Sequence, residues 1–187
     1  MRRFLHAYVL FLTWAVFPAH AQQRHADGID NVLEHVPMAT VLALKVGGVE
    51  SRHDWAQLVL TAGASYLVTA GVVQGLKWTV HAWRPDDSDK RSFPSGHTAL
   101  AFSGATVLHH EYGHLSPWIS VAGYGVATFV AVDRVAKNRH HWYDVAAGAA
   151  IGVMATEGCY WLSRRVFRKK EVSMAFTGQA FDVVLTL

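Results

Sequence analysis

The chain has 187 residues, of which 51% are hydrophobic and only 17% are Asp, Glu, Lys or Arg, against about 25% charged residues in ordinary soluble domains. A mean hydropathy of +0.15 excludes intrinsic disorder, and a net charge of +3 is too slight to mark a nucleic-acid-binding surface. Cys159, the single cysteine, excludes an intramolecular disulfide framework or a Cys-rich metal site, whereas histidine is abundant at twelve residues.

The N-terminus opens with Met1-Arg2-Arg3, continues as an apolar run from Phe4 to Phe17 and reaches Ala19-His20-Ala21. A basic segment, a short apolar segment and an Ala-x-Ala site predict a secretory signal peptide over residues 1–21, or an uncleaved first helix. Residues 22–170 then read as one domain, because no linker, repeat or low-complexity tract divides them. Apolar blocks follow at Val36–Val49, which contains Lys45, and at Trp55–Leu76, Ser92–His110, Tyr112–Val132 and Val145–Ser163. Their lengths approach the ~20 residues that cross a bilayer, and their Ala, Gly, Ser and Thr content suits close helix packing. The alternative is a water-soluble all-α domain with these blocks as core helices. The prediction is an all-α bundle of about five to six apolar helices, embedded in a membrane, with the active site in loops at one end. Basic residues crowd Arg164–Lys170, which places that end in the cytoplasm. The tail, residues 171–187, is β-prone over Phe181–Leu187, with no role read from it.

Chemistry concentrates in the polar connections. One runs from Lys77 through Arg84-Pro85 to Pro94-Ser95-Gly96-His97, and the other from Asp133-Arg134 to His140-His141 and Asp144. An apolar helix pair separates them, so parity brings both to the same, non-cytoplasmic end. Lys77, Arg84 and Arg134 are cations whose donors suit phosphate oxygens. Ser95-Gly96 opens a helix whose free N–H groups favour an anion, and Gly96 permits close approach of backbone to a ligand. His140 and Asp144 are four apart, which on a helix would place them on one face. A carboxylate on one imidazole nitrogen leaves the other free to attack, with His97 available as proton donor.

Lys77-x6-Arg84-Pro85, Pro94-Ser95-Gly96-His97 and Arg134-x5-His140-x3-Asp144 together resemble the three-part signature of the type 2 phosphatidic acid phosphatase (PAP2) superfamily, which includes vanadium haloperoxidases. The likeness extends from about Trp55 to Leu162 and departs from the pattern at Asp133, where the family usually has serine. It implies a phosphatase that needs no metal or other cofactor and works through a phospho-histidine. By that resemblance His140 is the nucleophile, Asp144 orients it and His97 is the acid and then the base. Lys77, Arg84, Ser95, Gly96 and Arg134 would hold the phosphoryl oxygens, and His141 would be a neighbour. The implied substrate is a lipid phosphate at the periplasmic face of a bacterial inner membrane. A soluble periplasmic acid phosphatase is the alternative, and a haloperoxidase or a non-enzymatic lipid- or metal-binding membrane protein ranks lower.

Overall fold

Two of the long helices in this chain start at side chains that satisfy otherwise orphaned backbone groups. The computed structural model describes residues 30–167 together with strands at 172–176 and 181–185; the expected signal peptide lies outside the described residues. The helices are α1 (Asp30–Leu33), α2 (Val36–Val46), α3 (Trp55–Val80), α4 (Gly96–Tyr112), α5 (Pro117–Ala136) and α6 (Trp142–Val166). Asp54 caps α3 by accepting from Gln57 N at 2.8 Å, and Ser116 caps α5 with Pro117 at its first turn. His81, in the left-handed region at φ 47°, ends α3. Two strands, β1 (Val172–Phe176) and β2 (Phe181–Leu185), pair antiparallel, so the β-prone tail forms a hairpin.

The fold is all-helical apart from that hairpin, with α4 at its centre. Ala99, Ala101, Ala105, Val107 and Leu108 of α4 are buried, and α2, α3, α5 and α6 surround them. On one side Val41, Leu58, Ala62 and Tyr160 pack with Val107 and Leu108; on another Ala127 and Val130 pack with Ala101 and Ala105. α4 and α6 run parallel in close contact because glycine removes the intervening side chains. A Cβ on Gly148 would lie 2.5 Å from the Ser95 carbonyl oxygen, and one on Gly152 would collide with the Ala99 carbonyl. A hydrogen bond between the Ser103 and Thr156 hydroxyls, 2.8 Å long, extends the same seam.

α3, α5 and α6 are long and apolar enough to cross a membrane. The expected span Val36–Val49 is corrected: α2 has 11 residues and rises only about 16 Å, against roughly 30 Å of hydrocarbon. Gly47 and Gly48 (φ 82°) end it, and Lys45 turns out of the helix to meet the Ser51 hydroxyl and the His53 carbonyl. Near those residues Glu111 is fully buried. It takes hydrogen bonds from Tyr160 Oη at 2.7 Å and His53 N at 3.2 Å, with His53 Nδ1 at 2.8 Å. His110 stacks on Tyr160 at 4.0 Å and pairs with Glu157 at 2.9 Å. This polar knot lies at the C-terminal end of α4; the motif segments gather at the opposite end.

Candidate active site

The turn between α5 and α6 brings Arg134 and His140 together. Asn138 adopts the left-handed conformation (φ 54°) just beyond the end of α5. The Asn138 N–H then bonds the Val135 carbonyl at 3.0 Å, and the Arg139 N–H bonds the Arg134 carbonyl at 3.0 Å. This is the Schellman arrangement, in which a left-handed residue lets the chain fold back on the last helical carbonyls. His140 N follows onto the same Arg134 carbonyl at 3.3 Å. The six-residue spacing from Arg134 to His140 is thus the length of one capped turn.

His140 and Asp144 do not share a helical face, contrary to the sequence expectation. His140 precedes α6, His141 is its N-cap and Asp144 is in its first turn. Asp144 reaches back to accept from His141 N at 2.9 Å, which is half of a capping box. That geometry leaves His140 Nδ1 at 3.8 Å from Asp144 Oδ2, a separation longer than a hydrogen bond. His141 Nδ1 is closer, at 3.3 Å. The two imidazoles differ in burial: the His140 side chain is 2% exposed, that of His141 35%. His141 also stacks on Tyr143.

Burial drives the His140 pKa down to about 4; the Asp144 carboxylate opposes this, and the nearby charges of Lys77, Arg84 and Arg134 lower it further. The imidazole is therefore neutral at physiological pH, with a lone pair available. Those three cations act together on His140, so the chain's separate segments converge there.

The Pro94–His97 segment joins them through its backbone, with Ser95 N donating to the Asp144 carbonyl at 3.0 Å. Ser95 is the buried N-cap of α4, and its hydroxyl is 3.0 Å from Thr98 Oγ1. A Cβ on Gly96 would meet only Val73 Cγ1, at 3.6 Å. His97 Nε2 is held 2.7 Å from Asn31 Oδ1 of α1, with Glu34 at 4.0 Å. Lys77 Nζ donates to the Arg91 carbonyl. Arg134 is 2% exposed. Arg84 Nε donates to Asp89 Oδ1 at 2.9 Å, and its Nη1 reaches the Arg139 carbonyl at 3.4 Å.

A cradle of cations at a helix N-terminus, with a buried neutral imidazole beside a carboxylate, is equipped to bind a phosphoryl group and attack it. A family model described as the PAP2 superfamily matches residues 58–168. The chain belongs to the PAP2 superfamily. A lipid A 1-phosphatase of Porphyromonas gingivalis is 41% identical over 141 residues, covering 75% of this chain and 32% of that protein. Lipid phosphate phosphatase 1 of Arabidopsis thaliana is 36% identical over 81 residues, covering 37% of this chain and 25% of that protein. The chain thus spans a third or less of the length of these relatives. Among solved structures, Aquifex aeolicus LpxE superposes with a TM-score of 0.57 at 22% identity, covering 84% of this chain and 94% of that one. The two chains therefore share a fold.

Asp133, the departure from the PAP2 pattern, faces Lys137 Nζ at 2.9 Å, which balances its charge one turn along α5. Sequence reasoning missed Ser92, which is fully buried and donates its hydroxyl to Asp144 Oδ2. It also missed Arg139, Asp86, Asp89 and Asn31. Their signals were faint: an acidic loop and a basic residue beside the motif histidine, without family spacing to single them out.

Proposed function

We propose that this chain is a metal-independent phosphatase of lipid phosphates, acting through a phospho-histidine on the periplasmic face of the inner membrane. The observation that carries the reading is the buried His140 set beside Asp144 within the field of Lys77, Arg84 and Arg134. With Nδ1 turned toward Asp144, Nε2 is the nitrogen that attacks. Its lone pair forms the N–P bond as the P–O bond to the leaving group breaks, and His97 gives its proton to the departing oxygen. Asn31 Oδ1 occupies an acceptor position on His97 Nε2 that the leaving oxygen would take over. Water, deprotonated by His97, then attacks phosphorus and the N–P bond breaks, which restores His140. Lys77, Arg84, Arg134 and the N–H groups around Gly96 stabilise charge on the equatorial oxygens, the main catalytic task in phosphoryl transfer.

Two features support a membrane-borne substrate outside the cytoplasm. α3, α5 and α6 have the length and apolar character of spans. α6 starts at the site and ends at Arg164 and Arg165, so cytoplasmic retention of that basic end puts the site on the other side. The lipid A 1-phosphatase likeness makes a glycosyl phosphate of a lipid the first substrate to try.

The test is phosphate release by purified protein from a panel of lipid phosphates and a soluble aryl phosphate, with EDTA present. The expected result is turnover of a lipid phosphate that survives EDTA and falls at least a thousandfold in His140→Ala. Activity of His140→Ala within tenfold of the parent, or activity abolished by EDTA and restored by a divalent metal, would overturn the mechanism.

A further inference from the structure

The loop from Ala82 to Ser92 is organised by its own carboxylates, and these hold two arginines in a crossed arrangement. Asp89 takes Arg84, with Nε–Oδ1 at 2.9 Å, and the backbone repeats the contact through Arg84 N and the Asp89 carbonyl at 3.0 Å. Asp86 reaches across to the other motif segment, where its Oδ2 lies 2.9 Å from Arg139 Nη1. Arg139 returns the contact, because its carbonyl accepts from Arg84 Nη1 at 3.4 Å. The Asp86 carboxylate is itself oriented by Ser88, through N at 3.1 Å and Oγ at 2.6 Å, while Asp89 Oδ1 also accepts from Arg91 N at 2.8 Å. Asp87 makes the tight turn between them at φ 54°.

Arg139 is only 8% exposed although it adjoins the nucleophile in a surface turn. An arginine is buried at an ion pair when its planar fork fixes geometry, which a lysine would not do. Nη2 is the Arg84 nitrogen with no hydrogen bond to the described residues. The crossed pairs therefore fix a guanidinium by two of its nitrogens and leave the third for a ligand. They also tie that guanidinium to the backbone of the residue preceding His140.

We propose that Arg139 and Asp86 are positioning residues that set the distance between the Arg84 guanidinium and the His140 imidazole. The proposal rests on the phosphatase reading for its kinetic consequence, and on geometry alone for its consequence in anion binding. Loosening the pair lets Arg84 drift from the phosphoryl oxygens without touching the reacting atoms. Anion binding and the stabilisation of transition-state charge by Arg84 then weaken together, so kcat/KM falls.

The experiment uses the full chain in detergent, with Asp86→Asn, Arg139→Gln and Arg139→Lys. Orthovanadate binding is followed by tryptophan fluorescence, and Michaelis parameters are measured against the best substrate of the panel. Asp86→Asn is nearly isosteric on an exposed residue, so it folds even if Arg139→Gln does not. Asp86→Asn and Arg139→Gln should weaken orthovanadate binding and lower kcat/KM about tenfold, and Asp86→Asn should melt like the parent. Arg139→Lys should recover only part of the loss, because it restores charge but not the fork. Orthovanadate affinity and kcat/KM within twofold of the parent in Asp86→Asn would overturn the proposal, as would full recovery by Arg139→Lys. Weakened orthovanadate binding in a protein that hydrolyses no phosphate ester would support the clamp while removing the phosphatase reading.

Discussion

His140 and His141 compete for one carboxylate, and distance alone would choose His141. Burial and charge choose otherwise. His141 is a partly exposed N-cap stacked on Tyr143, whereas His140 is enclosed and feels the three cations that would hold a phosphoryl group. His141→Ala is expected to retain at least a third of the activity, since what it removes is a cap; a loss as deep as that of His140→Ala would transfer the nucleophile to His141. The pH profile gives a second measure. An imidazole with its pKa held near 4 is about nine-tenths neutral at pH 5, where an ordinary histidine is almost wholly protonated. Protonation blocks the attacking lone pair, so activity is present above the pKa and lost as pH falls through it. Corrected for the substrate's own ionisation, the acid limb of kcat/KM should fall only toward pH 4. A midpoint near 6.5 would show that burial does not govern this group.

At the scale of elements, the seam between α4 and α6 is the part least tolerant of change. Gly152→Ala places a methyl group against the Ala99 carbonyl and 2.9 Å from Ser103 N, both backbone atoms that cannot turn aside. Overpacking of this kind costs about 1–3 kcal/mol, so the variant should melt measurably lower, with Gly148→Ala similar and additionally pressing on Ser95 at the site. Gly158→Ala, with open space around its Cβ position, is the control that should melt like the parent. The three long helices and the convergence of their polar connections were legible in the sequence, because charge-free runs and parity are properties of single segments. The true extent of α2 was not, since an apolar run does not reveal where Gly47-Gly48 will turn. Nor was the loop position of His140: a spacing of four fits a helical face and equally a capped turn before a helix. Ser92 on Asp144 and Asp86 on Arg139 join residues more than fifty apart, with no periodicity to announce them.

For the whole molecule, the apolar surfaces of α3, α5 and α6 bear on membrane association. Trp55, Leu67, Trp118, Phe129, Met154 and Trp161 are among many large apolar side chains left exposed on these helices, as a surface facing lipid would leave them. The protein should stay with membranes after osmotic shock and alkaline washing and require detergent for release. Recovery in the osmotic-shock fluid would favour the water-soluble alternative.

The parallel seam has one more consequence, which concerns depth. Ser95 is level with Gly148, six residues into α6, and Gly96 is level with Val73, seven residues short of the end of α3. At 1.5 Å per residue, both comparisons set the start of α4 about 10 Å below the rim formed by its neighbours. Ser95 and Gly96 are therefore set inward of the loops that carry Arg84 and His140. On the proposed reading, reach, the distance by which a phosphate protrudes from its parent molecule, becomes a criterion for contact with the α4 terminus.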